Sequence, residues 1–126
     1  MSDIKVTNKD KEKIISMIKE RVNGKPVSKI ISKKAFWDAE FYINSSTLDP
    51  RPDSEILVES ALEVNKLINK EKINILELGV GSGCILLSLL NEINGSVGIG
   101  IDKDINALKV AQFNAINLRI SHKVSF

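Results

Sequence analysis

Residues 73–83 read Ile-Asn-Ile-Leu-Glu-Leu-Gly-Val-Gly-Ser-Gly and join an apolar run to a cluster of three glycines. Its first part, Ile73–Leu78, is an apolar run with few polar interruptions, which is typical of a buried parallel strand. The glycine-rich turn Gly79–Gly83 follows, and Cys84 begins an apolar segment that predicts a helix to about Ile93. Glycines in such a turn let the backbone bend sharply, and they let a ligand approach the main chain and the helix N-terminus.

The same pattern repeats downstream. Asn94-Gly95 ends the predicted helix, residues 97–101 are a second strand candidate, and residues 104–118 predict a second helix. Residues 124–126 have the pattern of the beginning of a third strand. Strands that alternate with helices in this way favour an α/β fold with an open parallel sheet.

One helix and two extended segments are expected upstream. The helix should run from Lys9 to Val22, because apolar residues recur at helical spacing and Thr7 is a suitable N-cap. Pro26 prevents its continuation. Residues 27–31 and 35–43 have strand-like sequences, the second with alternating polarity, so together they predict a β-hairpin.

A proline-stiffened loop and a further helix connect the hairpin to the glycine-rich stretch. Pro50 and Pro52 lie in the loop 47–53 and bias the residues before them away from helix. Asp53 or Ser54 is expected to cap the helix that follows. That helix has an apolar stripe at helical spacing, formed by Leu57, Ala61, Val64 and Ile68.

The composition fits one domain of ordinary size. The chain has 126 residues, of which 43% are hydrophobic and 27% charged, and its net charge is only +2. This small charge gives no support for direct nucleic-acid binding, and no apolar run is long enough to cross a membrane. The single cysteine, Cys84, fits a reducing cytoplasm, and with only one histidine in the chain no metal site is expected.

The spacing of the glycines distinguishes between nucleotide-binding motifs. Gly79, Gly81 and Gly83 give G-x-G-x-G, whereas the dinucleotide fingerprint G-x-G-x-x-G would place its third glycine at Cys84. A P-loop is excluded because its Gly-Lys-Ser/Thr ending is missing. Binding of NAD and a tight turn without any ligand remain alternatives. Asp102, at the carboxyl end of the second strand, is placed to accept hydrogen bonds from ribose hydroxyls.

Glu77, an acidic residue two positions before Gly79, distinguishes further between the possible nucleotide-binding motifs. The resulting pattern, acid-x-G-x-G-x-G, resembles motif I of the class I S-adenosylmethionine-dependent methyltransferases. The resemblance implies a partial Rossmann-like methyltransferase sheet and S-adenosyl-L-methionine as cofactor, whose cationic amino acid end suits a nearby acid. The cofactor-binding residues implied in this way are Glu77, Gly79, Val80, Gly81, Ser82, Gly83 and Asp102.

Several further motifs occur in the order typical of the protein-(glutamine-N5) methyltransferases, the HemK-like enzymes. They are Asn23–Val27, Phe36-Trp37, Phe41, Pro50–Glu55, Ile56–Glu59 and Ala111-x-x-Asn114-Ala115. The resemblance covers roughly residues 20–126, and it implies methylation of the Gly-Gly-Gln glutamine of peptide chain release factors. The chain departs from the family pattern at Ser32, where glycine is usual, and at Lys29, where an aromatic residue is usual.

The resemblance also implies a division of the chain. Residues 1–26 would be a remnant of an amino-terminal helical domain, residues 27–46 a β-hairpin linker, and residues 47–126 the amino-terminal half of the methyltransferase domain. Arg51 and Glu55 would either lie near the cofactor or fix their loop through an ion pair. These two roles remain alternatives.

One part of the family pattern does not occur in the sequence. The Asn-Pro-Pro-Tyr motif that holds the substrate glutamine in the family is absent, so no catalytic residue is assigned. We therefore expect an incomplete chain that has no methyltransferase activity by itself and that self-associates through an open sheet edge. The alternatives are a non-catalytic remnant or binding module with part of the cofactor site, and a methyltransferase that acts on amino groups of nucleic acid.

Overall fold

The computed structural model describes residues 5–70 and 72–126 of the chain. The first four residues of the predicted amino-terminal unit, 1–26, therefore lie outside the described residues. In chain order the elements are α1 (Asn8–Val22), α2 (Val27–Ile31), β1 (Lys33–Phe36), β2 (Ala39–Tyr42), α3 (Glu55–Ile68), β3 (Asn74–Leu78), α4 (Cys84–Glu92), β4 (Val97–Ile101), α5 (Ile105–Asn117) and β5 (Val124–Ser125). Short 3₁₀ turns at Pro52–Ser54 and Ser121–Lys123 precede α3 and β5.

A three-stranded parallel sheet, in the order β3-β4-β5, forms the centre of the fold. Leu76 lies beside Ile99 across the first strand pair, and Ile99 lies beside Ser125 across the second. The carboxyl ends of β3 and β4 therefore meet at one edge, where the glycine-rich turn and Asp102 follow them. The predicted α/β class with a partial Rossmann-like sheet is confirmed, since this order matches one half of a doubly wound sheet.

Helix α4 packs on one face of the sheet and shares a core with α3 and α5. Leu86 and Leu90 of α4 are fully buried. Gly98 of β4 permits their close approach, because a Cβ there would lie 2.8 Å from Leu86 Cδ1 and 3.0 Å from Leu90 Cδ1. The opposite face, which we call the open sheet face, consists of apolar side chains that are about half exposed or more: Leu76, Leu78, Val97, Ile99 and Ile101.

The hairpin does not have the strands that the sequence predicted. Residues 27–31 form helix α2 instead of a strand, because the Pro26 carbonyl accepts hydrogen bonds from two N–H groups of this segment and starts a helical turn. A proline is suited to the start of a helix, where its missing N–H is not needed. The hairpin consists of β1 and β2, and its turn lies at Trp37-Asp38.

The predicted continuous strand over residues 35–43 is therefore also wrong. The chain reverses within this segment, so Phe36 of β1 and Phe41 of β2 both enter the core, with their ring centroids 6.2 Å apart in an edge-to-face arrangement. Strict alternation would have placed these two rings on opposite faces. The turn between the strands brings them to the same face.

Helix α1 agrees with its prediction, and Thr7 is confirmed as its N-cap. The Asp10 N–H donates to Thr7 Oγ1 at 3.2 Å, and Asp10 Oδ2 accepts from the Thr7 N–H at 2.9 Å, which completes a capping box. No residue of α1 is buried, and the helix packs against α2. Its position therefore depends mainly on this contact between two short apolar surfaces.

Helix α3 differs from its prediction in two respects. Neither Asp53 nor Ser54 caps it through a side chain, because the preceding 3₁₀ turn leads directly into the helix. Val58 is its fully buried residue, whereas Leu57 of the predicted stripe is 58% exposed. The stripe residues Ala61, Val64 and Ile68 line an open groove of about 310 Å³ against β3 and α4.

Candidate cofactor-binding site

Backbone hydrogen bonds hold the glycine-rich turn to the end of β4. The Ile101 carbonyl accepts from the Gly79 N–H at 2.7 Å and from the Val80 N–H at 3.0 Å, and the Gly83 N–H donates to the Val80 carbonyl at 2.8 Å. Gly79, Gly81 and Gly83 have φ values of 77°, 54° and 80°. The path of the turn therefore requires glycine at three positions, since these values lie in the left-handed region.

The three glycines differ in their surroundings. A Cβ at Gly83 would lie 2.9 Å from Leu87 Cδ1 and 3.4 Å from Ala111 Cβ, so this glycine is required for close packing of the turn on α4 and α5. At Gly79 no described atom lies within 4 Å of such a Cβ, and at Gly81 the nearest is the Gly79 carbonyl oxygen at 4.0 Å. The turn therefore presents Gly79 and Gly81 to open space, where a ligand can approach the main chain.

Asp102 closes the site from the end of β4. Its Oδ2 accepts from the Gly81 N–H at 2.9 Å, and its Oδ1 accepts from the Asp104 N–H at 3.0 Å. The hydrogen bonds from Asp104 and then Gly81 hold the pKa of Asp102 below its ordinary value, so the carboxylate is charged at neutral pH. Each oxygen retains acceptor capacity. Asp102 can therefore fix the turn and still accept hydrogen bonds from a ligand.

Glu77 is directed toward the first turn of α4. Its Oε2 accepts from the Leu86 N–H at 3.0 Å, so it occupies one of the N–H groups that have no partner within the helix. Burial raises the pKa of Glu77 to about 7, and the hydrogen bond from Leu86 opposes this rise. The geometry gives Glu77 a structural contact with α4. Its expected contact with the cationic end of a cofactor stays a prediction.

Cys84, the first residue of α4, is partly buried against the core. Burial raises the pKa of its thiol to about 11, so the thiol stays protonated at neutral pH and is a poor nucleophile. Within residues 5–70 and 72–126, no group of three or more His, Cys, Asp or Glu side chains could hold a metal ion. In the same described part of the chain, no helix has the length and apolar character needed to cross a membrane.

Glu55, which the sequence placed either near the cofactor or in an ion pair, binds the hairpin. Its Oε1 accepts from the Trp37 N–H at 2.8 Å, and the alternative ion pair with Arg51 does not form between these two described residues. Arg51 lines a pocket of about 480 Å³ together with Lys34 and Asp49. A cofactor contact of Arg51 stays a prediction.

The sequence pattern predicted no role for Asn114, which the structure connects to the turn. It lies within α5, is 1% exposed, and donates from Nδ2 to the Ser82 carbonyl at 2.9 Å. A signal was available in the sequence, because Asn114 lies between Ala111 and Ala115 on the inner face of the predicted helix. A polar side chain on a buried face needs hydrogen-bond partners, and the glycine-rich turn supplies one.

Relatives of known name align with almost the whole chain, although no family model matches it. A release factor glutamine methyltransferase of Bradyrhizobium diazoefficiens is 38% identical over 125 residues, which is 96% of this chain and 41% of that protein. Over its own length this chain is therefore similar in sequence to release factor glutamine methyltransferases. Proteins of the same name from Rhodospirillum rubrum and Buchnera aphidicola are 40% and 38% identical over 96% and 95% of this chain. The chain spans only 36% and 42% of these two relatives.

Solved structures also resemble this chain. The MccD protein aligns with 61% of this chain and 32% of its own at a TM-score of 0.51 and 19% identity, a likeness that concerns the fold alone. A methyltransferase from Geobacter sulfurreducens in complex with S-adenosyl-L-homocysteine aligns with 54% of this chain and 27% of its own. Its TM-score is 0.44 at 28% identity, a level from which no conclusion follows for this chain.

Proposed function

We propose that this chain is the cofactor-binding part of an S-adenosyl-L-methionine-dependent methyltransferase. One observation carries the proposal: Gly79 and Gly81 face open space, and a charged Asp102 is fixed beside them through the Gly81 N–H. A narrow turn open to ligand, with an acid at the end of the next strand, suits a cofactor that contains a ribose. The names of the curated relatives support methyl transfer as the activity.

The residues of the site fit this cofactor. When bound, S-adenosyl-L-methionine supplies a methyl group that its sulfonium makes electrophilic. The main chain of residues 79–83 would hold the methionine end, and Asp102 would accept hydrogen bonds from the ribose hydroxyls. The chain would thereby place the methyl group for transfer, a reaction in which positioning supplies much of the rate enhancement.

We further propose that the methyl acceptor is the glutamine of the Gly-Gly-Gln motif of a peptide chain release factor. The names of the relatives and the motifs shared with the HemK-like enzymes support this acceptor. In this proposal, the residues of the chain that have an assigned role, 79–83 and Asp102, serve the cofactor side of the reaction. The proposed units remain 1–26, 27–46 as a linker that contains α2 and the hairpin, and 47–126.

Calorimetric titration with S-adenosyl-L-homocysteine tests the cofactor assignment without requiring catalysis. We expect the 126-residue chain to bind this compound, and Asp102→Ala to weaken binding at least about tenfold. Asp104→Ala is the matched control, because it removes the side-chain cap of α5 without touching Gly81. The assignment fails if the unaltered chain does not bind, or if the two variants lose affinity equally.

A deletion strain tests the acceptor. Mass spectrometry of the Gly-Gly-Gln peptide from release factors should show methylated glutamine in the source cell and unmethylated glutamine after deletion of the gene. A plasmid copy of the gene should restore methylation of this glutamine, and a copy with Asp102→Ala should not. This pair of results would connect the modification to the site around Asp102. If methylation persists after deletion, release factors are not the acceptor. The cofactor assignment would not be affected by that result.

A further inference from the structure

One amide side chain joins the hairpin, the glycine-rich turn and helix α5. Asn114 Oδ1 accepts from the Tyr42 N–H at 2.8 Å, and Nδ2 donates to the carbonyls of Tyr42 and Ser82, both at 2.9 Å. Both amide protons and the amide oxygen therefore have partners, as a side chain that is 1% exposed requires. Tyr42 is the last residue of β2, and Ser82 belongs to the turn.

The Ser82 carbonyl lies between two glycines of the turn, whose backbone has few steric restraints of its own. Ser82 stands between Gly81 and Gly83, and glycine moves between backbone regions at little steric cost. The peptide group between Ser82 and Gly83 is fixed from two sides, by Asn114 at its carbonyl and by the Val80 carbonyl at its N–H. Without Asn114, the turn would lose one of these two fixed points.

The other end of the hairpin is fixed to α3 and α4. In the hairpin turn, the Trp37 N–H donates to Glu55 Oε1 and the indole Nε1–H donates to Glu92 Oε1, each at 2.8 Å. Glu92 is the last residue of α4, the helix that begins at the glycine-rich turn. A hairpin that leaves this position would displace the Tyr42 backbone, which holds the Asn114 amide.

We propose that Asn114 is a positioning residue that couples the seating of the hairpin to the shape of the glycine-rich turn. When the hairpin is seated, the Tyr42 backbone orients the amide and the amide orients the Ser82 carbonyl. The turn then keeps the shape that leaves Gly79 and Gly81 open. The effect on cofactor affinity rests on the proposed function, whereas the coupling between hairpin and turn does not.

Asn114→Asp is the most selective variant for a test. The carboxylate has nearly the same shape and can accept from the Tyr42 N–H, but it cannot donate to the two carbonyls that face it. The matched control is Val58→Ala, which removes buried atoms from α3 and leaves the hydrogen bonds of Asn114 intact. Urea concentrations are chosen so that both variants have the same free energy of unfolding.

Hydrogen exchange under these matched conditions measures the turn directly. We expect the amides of residues 79–83 to exchange at least about tenfold faster in Asn114→Asp than in Val58→Ala. Equal exchange rates at the turn in the two variants would overturn the coupling, because a general loss of stability would then explain the result.

A second variant, Glu92→Ala, loosens the far end of the hairpin at an exposed position and leaves Asn114 in place. We expect faster exchange at residues 79–83 when Asn114 is present, and no further acceleration when Glu92→Ala is added to Asn114→Asp. Asn114→Ala takes the place of the aspartate variant if the latter does not fold. The coupling is refuted if Glu92→Ala leaves the turn unchanged, or if its effect persists without Asn114.

Binding of S-adenosyl-L-homocysteine tests the functional consequence. The dissociation constant of Asn114→Asp should be at least about tenfold higher than that of Val58→Ala. Failure of the unaltered chain to bind would overturn the proposed function, while the exchange rates would still decide the coupling. Equal affinities in the two variants, with altered exchange, would show that the coupling does not reach the cofactor.

Discussion

Asp102 and Gly81 are joined by a hydrogen bond of 2.9 Å between the carboxylate Oδ2 and the backbone N–H. This contact links the end of β4 to the centre of the glycine-rich turn. The backbone N–H groups of Asp104 and Gly81 lower the pKa of Asp102, so the folded state favours its charged form. The stabilisation is present above the pKa of an unfolded-state aspartate and is lost as the pH falls through the lower pKa of the folded state.

We therefore predict that Asp102→Asn lowers the free energy of unfolding at neutral pH, and that the difference from the unaltered chain is smaller at an acidic pH below the pKa of an unfolded-state aspartate. Urea unfolding followed by circular dichroism at both pH values measures this difference. Asp53→Asn, which changes an exposed carboxylate in the proline loop, is the control. A difference of equal size at both pH values would show that the charge of Asp102 is not the cause.

Glu77 should have the opposite pH dependence. Burial raises its pKa to about 7, so the folded state favours the protonated form. Its stabilisation is complete below the pKa of an unfolded-state glutamate, and it is lost as the pH rises through the folded-state value. Glu77→Gln, which is neutral and can still accept from the Leu86 N–H, should be roughly 1–3 kcal/mol more stable than the unaltered chain at about pH 8.

The same substitution should have no effect on the free energy of unfolding at about pH 4, where Glu77 is protonated in the folded state. Urea titrations across this range give the two curves, with Glu63→Gln as an exposed control on α3. Parallel curves for Glu77→Gln and the unaltered chain would contradict the assigned pKa.

Gly79→Ala and Gly24→Ala form a matched pair for separating stability from binding. Both glycines have φ in the left-handed region, at 77° and 89°, and neither has a described atom within 4 Å of an added Cβ. Each substitution should cost about 1–2 kcal/mol of stability. Only Gly79→Ala should weaken the binding of S-adenosyl-L-homocysteine, because the methyl group of the introduced alanine would occupy the open side of the turn. Equal affinities of the Gly79→Ala and Gly24→Ala variants in calorimetry would show that Gly79 does not belong to the binding site.

Gly83→Ala should destabilise the fold more than either member of this pair. Its Cβ would lie 2.9 Å from Leu87 Cδ1, so steric overlap adds about 1–3 kcal/mol to the backbone strain. Thermal unfolding of the three alanine variants provides the comparison. A Gly83→Ala variant as stable as Gly24→Ala would show that α4 shifts easily to make room.

The open sheet face should cause self-association. Its apolar side chains are about half exposed or more, and a contiguous apolar patch of this kind favours contact between molecules. Ile99→Lys places a charge at its centre and should lower the mass measured by analytical ultracentrifugation at high protein concentration. Glu40→Lys, on the hairpin, is the control. A monomeric unaltered chain at all concentrations would contradict the prediction.

The part of the fold after residue 73 was predictable because its local signals agree. The apolar strand, the glycine turn and the helix all occur in the expected order, and in the structure Asp104 caps α5 by accepting the Asn106 N–H at 2.8 Å. Strand length and periodicity then leave few alternatives. The proximity of Asp102 to the turn follows from the same order, because adjacent parallel strands end at the same edge.

The hairpin region was not predictable in the same way. Val27, Ile30 and Ile31 are β-branched and favour a strand locally, but the helical turn that begins at the Pro26 carbonyl is further held by tertiary contacts. Lys29 of this helix donates hydrogen bonds to the carbonyls of Asn44 and Thr47, and no sequence pattern predicts these contacts. The local propensity was outweighed by partners that lie far along the chain.

The position of the hairpin turn has a similar cause. Trp37 has a φ of 52°, an unfavourable value for a bulky side chain, and its partners Glu55 and Glu92 lie in later elements. Asn114 likewise shows its role only when β2 and the glycine-rich turn are both in place. Residues that act through long-range contacts cannot be assigned from spacing alone.

The contact between Trp37 and Glu92 has an optical consequence. Trp37 is the single tryptophan of the chain, so all indole fluorescence comes from the hairpin turn. An indole that donates to a carboxylate on a protein surface emits differently from one surrounded by water. The emission wavelength and anisotropy of the unlabelled protein therefore report whether the hairpin is seated on α4. Rapid mixing could follow that movement in real time, with Glu92→Ala giving the spectrum of the released indole.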